Sequence, residues 1–178
     1  RFRLDRVTSG NKVVYSSSTG LIDVAGNTVE DISPEMFLNG APDAGPKRDI
    51  TIEMVTPLRV KFHNRLEPEL PFHILVRASL RRISSLYDNF GEGQPGLDYR
   101  GLVHRAMSVR IKESTLMWVD WKRYSSRQDQ KMLMGGMMGS VAYADVPSEY
   151  MPLLTFCEEV HIGKQTTFGL GKFALREH

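Results

Sequence analysis

The chain has 178 residues, of which 41% are hydrophobic and 25% charged, with a formal net charge of +2 and one cysteine. That length and apolar content support one large domain, or a domain with an appendage, and exclude a disordered chain. No apolar run approaches the roughly 18 residues of a membrane span, and the lone Cys157 excludes an internal disulfide and a cysteine-built metal site while fitting a reducing cytoplasm.

So small a net charge does not by itself point to nucleic acid; the case rests on where the cations stand. The sequence opens on Arg1, with no signal-peptide pattern, and is expected to continue upstream.

The first segment, RFRLDRVTSGNKVVYSSS, predicts a hairpin. Phe2, Leu4 and Val7 lead into Ser9-Gly10-Asn11, and Val13, Val14 and Tyr15 return. Residues 26–48 are rich in Gly, Asn, Pro and Asp and read as a connector. Ile50, Ile52, Met54, Leu58, Val60 and Phe62 then alternate with Thr51, Glu53, Arg59 and Lys61, which predicts a strand with one face in a core. Pro57 has no N–H for a ladder, so it implies a bulge or an edge in that strand.

Leu70-Pro71 introduces a helix from Phe72 to Phe90, with Phe72, Leu75, Val76, Leu80, Ile83, Tyr87 and Phe90 at helical spacing. The run from Gly91 to Gly96 ends it. A shorter helix is predicted over Tyr99–Met107. Strands follow at Thr115–Tyr124 and Met132–Ala144, joined by the polar run Ser125 to Gln130 as a hairpin. Gly135, Gly136 and Gly139 would weaken the second of these unless another backbone or a ligand comes close. A helix begins near Ser148–Met151, with Pro152 in its first turn and Tyr150, Leu153, Leu154, Cys157 and Val160 as its buried stripe. The final strand, Phe168–Arg176, is entered through a glycine-rich loop.

The order is strand, helix, strand, strand, helix, strand. The expected class is α+β: a ferredoxin-like (RRM-like) β-α-β-β-α-β antiparallel sheet with two helices on one face, plus an N-terminal hairpin. Residues 49–178 form the ferredoxin-like domain in this reading. Residues 1–48 are hairpin and connector, the tail of an upstream domain. The plan alone does not fix an activity.

Three clusters carry candidate chemistry. On the long helix His73, Arg77 and Arg81 recur every four residues, away from the apolar stripe, with Arg82 beside them. A cationic ridge of this kind suits phosphates; a solvated helix face is the plainer reading, but Asp88 is the helix's one acidic residue. The second cluster is Trp121-Lys122-Arg123-Tyr124-Ser125-Ser126-Arg127-Gln128, with Lys131 shortly after. It interleaves rings, cations and an amide, as RNA recognition requires. Trp118 and Trp121 fit packing better than base stacking, whereas Arg123, Arg127, Gln128 and Lys131 fit a ligand.

The third cluster is His161-Ile162-Gly163-Lys164-Gln165-Thr166-Thr167-Phe168-Gly169-Leu170-Gly171-Lys172. Glycines allow close backbone approach and turned N–H groups can cradle phosphate oxygens, although a tight turn would use them equally. The loop has neither the Walker spacing nor the dinucleotide fingerprint. None of the histidines, His63, His73, His104, His161 and His178, forms a metal-ligand pair, and no nucleophile-elbow pattern occurs. Only His73 and His161 stand where an acid or base is conceivable, and no metal or cofactor is expected.

Together these segments resemble the CRISPR-associated pre-crRNA-processing endoribonucleases of the RAMP (repeat-associated mysterious protein) superfamily. The match is carried by TPLRVKF at 56–62, FHILVRASLRRISSL at 72–86, DWKRYSSRQDQKMLMGGMMG at 120–139 and HIGKQTTFGLGKF at 161–173. RFRLDRV resembles the segment joining the family's two halves. The resemblance implies two ferredoxin-like domains side by side and one metal-independent cut in CRISPR repeat RNA. The 2′-hydroxyl attacks the adjacent phosphate and leaves a cyclic phosphate. It also implies a catalytic histidine in the preceding domain, so none is assigned here.

The RNA-binding residues expected are Arg77, Arg81, Arg82, Arg123, Arg127, Gln128, Lys131, Gly163, Lys164, Gln165, Thr166, Thr167, Gly169, Gly171 and Lys172. Gln165 departs from the family, where many members carry glycine. Expected partners are CRISPR repeat RNA, proteins of a CRISPR effector complex and a second copy of the chain, with no membrane. A non-catalytic RNA-binding subunit of such a complex is the alternative, and a small-ligand or protein-binding domain the third.

Overall fold

A computed structural model describes residues 4–9, 12–23, 45–61, 68–91, 93–120, 122–125 and 130–178. The chain divides into two compact units, Arg1–Ser33 and Pro34–His178. The first holds the predicted hairpin: β1 (Arg6–Ser9) pairs antiparallel with β2 (Lys12–Ser16), with a register shift between Val7 and Thr8. Most of the predicted connector lies outside the described residues.

The second unit runs β3 (Arg48–Leu58), α1 (Phe72–Phe90), α2 (Tyr99–Ala106), β4 (Arg110–Ser114), β5 (Met117–Val119), β6 (Lys122–Ser125), β7 (Gln130–Leu133), β8 (Gly136–Val146), α3 (Met151–Val160) and β9 (Phe173–Glu177). The main sheet has the order β4-β8-β3-β9, all antiparallel, and β5 also pairs with β8. With α1 after the first of these strands and α3 before the last, this is the ferredoxin-like arrangement.

Alternation decides which face is covered. Ile50, Ile52, Met54 and Leu58 of β3 and Val141 and Tyr143 of β8 are buried in one cluster with Phe72, Leu75, Val76, Leu80 and Ile83 of α1 and Leu153, Leu154 and Cys157 of α3. Glu53 and Val55 stay exposed on the other face. Burying each large aliphatic side chain contributes roughly 1.5–3 kcal/mol. Phe72 meets Tyr143 and Tyr150 edge-on at 5.0 and 5.1 Å. Each tyrosine hydroxyl finds a carbonyl, Leu70 at 2.6 Å and Leu102 at 2.9 Å, so neither ring buries an unpaired donor.

Several predicted boundaries move. Phe90 is 86% exposed, because the last turn of α1 runs past the core. The strand predicted over Thr115–Tyr124 is two strands, β5 and β6, and the strand that follows the helices in the main sheet is β4, upstream of it. The strand predicted over Met132–Ala144 likewise divides into β7 and β8, of which β7 pairs with β6 in a two-stranded ribbon among the described residues. At Gly139 the backbone approach expected of these glycines is real: a Cβ there would stand 2.5 Å from the Thr115 carbonyl. Phe168 lies in a short 3-10 turn, and the last strand begins at Phe173.

Pro57 sits in the central strand, not at an edge. The Val55 and Thr56 N–H groups both donate to the Lys172 carbonyl, each at 3.0 Å, so two residues of β3 oppose one of the neighbouring chain. This is a bulge, and the proline follows it where no ladder donor is needed.

Candidate nucleic-acid interface

The bulge fixes the loop between α3 and β9. Lys172 N–H donates to Thr56 Oγ1 at 2.9 Å, Gly171 N–H to the Pro57 carbonyl at 3.1 Å, and Lys164 N–H to the Arg59 carbonyl at 3.0 Å. Inside the loop Ile162 N–H donates to the Gly171 carbonyl at 3.0 Å, and His161 Nδ1 donates to the Leu170 carbonyl at 3.1 Å. Ile162 and Leu170 are buried beneath it.

The chain bends sharply to satisfy these bonds. Positive φ recurs at His161, Gly163, Gln165, Gly169 and Gly171. Gly163 and Gly171 have steric reasons as well: an added Cβ would come within 2.7 Å of the Arg59 carbonyl oxygen and 1.8 Å of the Ile162 carbonyl oxygen. His161 and Gln165 hold positive φ without that excuse, at a cost of order 1–3 kcal/mol each. The loop is therefore a fixed shape, and its outer face exposes Gly163, Lys164, Thr167 and Gly169.

Lys164 does not stand alone. It lines a cavity of about 330 Å³ with Arg59 and Lys61, which follow β3, and Arg77, Arg81 and Arg82 of α1. Val60, Ile74 and Ala78 contribute apolar lining. Among the described residues no carboxylate lines this space. Arg82 has a second role: its Nε donates to the Val160 carbonyl at 2.9 Å and so joins α1 to the end of α3. Arg59 Nη1 donates to the Gly135 carbonyl at 3.3 Å, and its guanidinium lies 5.9 Å from the Trp118 ring centroid. Trp118 is itself held by Asp120, at 2.8 Å, in a packing role.

The sequence-predicted residues thus separate into groups. Arg77, Arg81, Arg82, Gly163 and Lys164 come together. Gly169, Gly171, Thr166, Thr167 and Lys172 shape or flank the loop without lining the cavity. Gln165 is half-buried, its side-chain oxygen without a hydrogen-bond partner among the described residues. The backbone of Arg123 and Lys131 stands on the β6–β7 ribbon, in register with Met132 and Tyr124. Arg127 and Gln128 lie outside the described residues. Sequence reasoning passed over Arg59 and Lys61 as polar positions of a strand. The signal was Pro57, after which Arg59-Val60-Lys61 leaves the ladder.

The profile of the CRISPR-associated endoribonuclease Cas6 family matches residues 52–173. Among solved structures, a chain of a partial Cas6-RT-Cas1–Cas2 complex is similar with a TM-score of 0.59 and 16% identity, over 90% of this chain and 29% of that one. Thermus thermophilus Cas6 is similar with a TM-score of 0.55 and 11% identity, over 80% of this chain and 57% of that one. A Cas6 product complex is similar with a TM-score of 0.52 and 13% identity, over 81% of this chain and 55% of that one. At these identities the likeness is one of fold, and the chain spans less than two thirds of each structure. A search of curated proteins gives no match.

Proposed function

The chain belongs to the CRISPR-associated endoribonuclease Cas6 family, and from that membership we propose that it is the RNA-binding C-terminal part of a metal-independent endoribonuclease that cuts CRISPR precursor RNA within the repeat. In this reading residues 49–178 are the ferredoxin-like RAMP domain and residues 1–48 the tail of a preceding one. The setting is cytoplasmic; no helix of the described residues is long and apolar enough to cross a membrane.

The observation that carries the reading is the cationic cavity between α1 and the loop after α3. Arg59, Lys61, Arg77, Arg81, Arg82 and Lys164 gather there. A polyanionic strand suits such a site, because each neutralised phosphate releases condensed counterions. The cations would hold and orient the strand while its 2′-hydroxyl, losing its proton, attacks the adjacent phosphate and breaks the bond to the 5′-oxygen of the next nucleotide, so that one product ends in a 2′,3′-cyclic phosphate and the other in a 5′-hydroxyl. The test is repeat-RNA binding by the full chain across a salt series. Replacing Arg81 and Lys164 with Ala should weaken binding and flatten the slope of log K against log salt, by about 0.7 for each lost contact to a single strand. Unchanged affinity and slope would remove the cavity from the mechanism.

A second reading is an RNA-binding subunit without cleavage. No histidine lines the cationic cavity among the described residues, as either reading expects. His161 is bonded to the Leu170 carbonyl, and His178 lies 3.0 Å from Thr51 Oγ1. Incubation of the full-length protein with repeat RNA in chelator separates the readings: a cyclic-phosphate product supports the nuclease, and binding without cleavage supports the subunit. Partners would then be other proteins of the CRISPR machinery or a second copy of the chain.

A further inference from the structure

Helix α1 presents the same residues to two cavities. Arg77, Arg81 and Ser85, at successive turns, line the cationic cavity and also a larger groove, of about 690 Å³, between α1 and α2. These side chains form a ridge with a cavity on either side. The two spaces are made differently. The first is dominated by cations. The second has Leu80, Val103 and Met107 as apolar lining, with the Tyr99 ring fixed beside them by its hydroxyl on the Pro95 carbonyl at 3.1 Å. Arg100 and His104 of α2 and Asp88 and Asn89 of α1 complete it, so the groove has an apolar body with donors and acceptors around it.

An RNA strand alternates two kinds of group: a charged phosphate, and a flat ring with an apolar face and a hydrogen-bonding edge. The cationic cavity serves only the first. The neighbouring groove has what the second requires, an apolar and aromatic wall for the face and polar side chains for the edge. Its charge also fits: Arg77, Arg81 and Arg100 line it, and the one carboxylate lining it among the described residues, Asp88, already accepts from Gln94 Nε2 at 3.1 Å.

We infer that the α1–α2 groove is a nucleobase subsite, in which one unpaired base of the strand is seated while its phosphate rests on the Arg77–Arg81 ridge. The inference rests on the proposal that the cationic cavity binds RNA. It adds a site that reads, or at least requires, a base.

The test compares two probes in fluorescence anisotropy with the full chain: a short oligocytidylate, and a ribose-phosphate chain of the same length with no bases. The unmodified protein should bind the first about tenfold more tightly, as expected when one base is stacked and desolvated. Met107 is 59% exposed, so altering it leaves the core intact. Met107→Trp, which fills the groove, and the double variant His104→Ala, Met107→Ala should each erase most of that tenfold difference and leave the salt slope unchanged. Arg81→Ala should flatten the slope for both probes. If the groove variants keep the full preference while Arg81→Ala lowers affinity, the cationic cavity stands and the base subsite is refuted. If Arg81→Ala changes neither affinity nor slope, the RNA-binding reading fails and the subsite with it. An unmodified protein that binds both probes equally also refutes the subsite.

Discussion

Arg82 of α1 reaches across to the last residue of α3, donating its Nε to the Val160 carbonyl at 2.9 Å. The carbonyls at a helix C-terminus lack intrahelical partners, and a cation there is favourable for both the hydrogen bond and the helix dipole. Because α3 leads directly into the glycine-rich loop, this contact joins the bulge and the Lys164–Arg59 bond in placing Lys164 beside Arg77 and Arg81. Arg82→Ala should therefore do more than remove a charge. We expect a stability loss of about 1–2 kcal/mol, read from denaturant midpoints, together with weaker RNA binding. Arg82→Lys should keep the charge but restore neither in full, because the ammonium does not reproduce the geometry of the guanidinium.

The loop offers a paired test of shape. Gly169 and Gly171 have nearly the same φ, +82° and +80°, yet a Cβ at Gly169 meets nothing within 4 Å and one at Gly171 meets the Ile162 carbonyl at 1.8 Å. Gly169→Ala should cost only the left-handed conformation, about 1 kcal/mol. Gly171→Ala should cost at least about 2 kcal/mol more, since the Ile162–Gly171 bond must open. Thermal unfolding of the two variants checks the difference; equal losses would show that the loop adapts.

Under the same helix, Ser79 is fully buried and its hydroxyl has no hydrogen-bond partner among the described residues. Alanine is the better helix former and buries no polar atom, so Ser79→Ala should stabilise the protein by about 1 kcal/mol. Cys157 packs opposite, its thiol 3.8 Å from the Ser79 carbonyl and pushed up to about 12 by burial. It should resist alkylation at neutral pH until the protein unfolds. Rapid labelling of the native protein would contradict this burial.

The exposed ion pairs set opposite pH limbs. The Gly101 N–H, and then the Arg105 guanidinium, hold the Asp98 carboxyl below its ordinary 3.8; Lys112 and then the Asp145 N–H do the same for Asp49. In acid the unfolded chain takes up these protons first, so stability is present above the unfolded value and falls as pH drops through the folded one. Lys112 is raised above its ordinary 10.5 by Asp49, so its contribution is present below that value and is lost as pH rises through the folded pKa. Asp98→Asn should flatten the acid limb of a plot of thermal midpoint against pH, and Lys112→Met the alkaline limb. An acid limb unchanged in Asp98→Asn would assign it elsewhere.

What could be read in advance follows the burial pattern. The stripe of α1 and the alternation of Ile50, Ile52 and Met54 are written in apolar residues because one face of each element meets the core. Strand β4 carries no such record. All five residues of Arg-Ile-Lys-Glu-Ser are exposed, and what makes them a strand is their hydrogen bonding to β8 at the sheet edge. The end of β3 misled in the opposite sense. Val60 is buried and keeps the alternation going, but the strand stops at Leu58 and the Arg59 carbonyl is given to Lys164. Four of the six cations that line the cavity among the described residues, Arg77, Arg81, Arg82 and Lys164, were therefore legible on α1 and in the glycine loop, whereas Arg59 and Lys61 depended on a backbone path that side-chain periodicity does not encode.

The loop after α3 is held by main-chain carbonyls and amides at both ends: Arg59 with Lys164 at its entry, and Pro57 with Gly171 and then the bulge with Lys172 at its exit. Such attachments do not depend on which side chains the intervening residues bear. The side chains of residues 166–168 can consequently be exchanged while the main-chain anchors on either side keep the path of the loop.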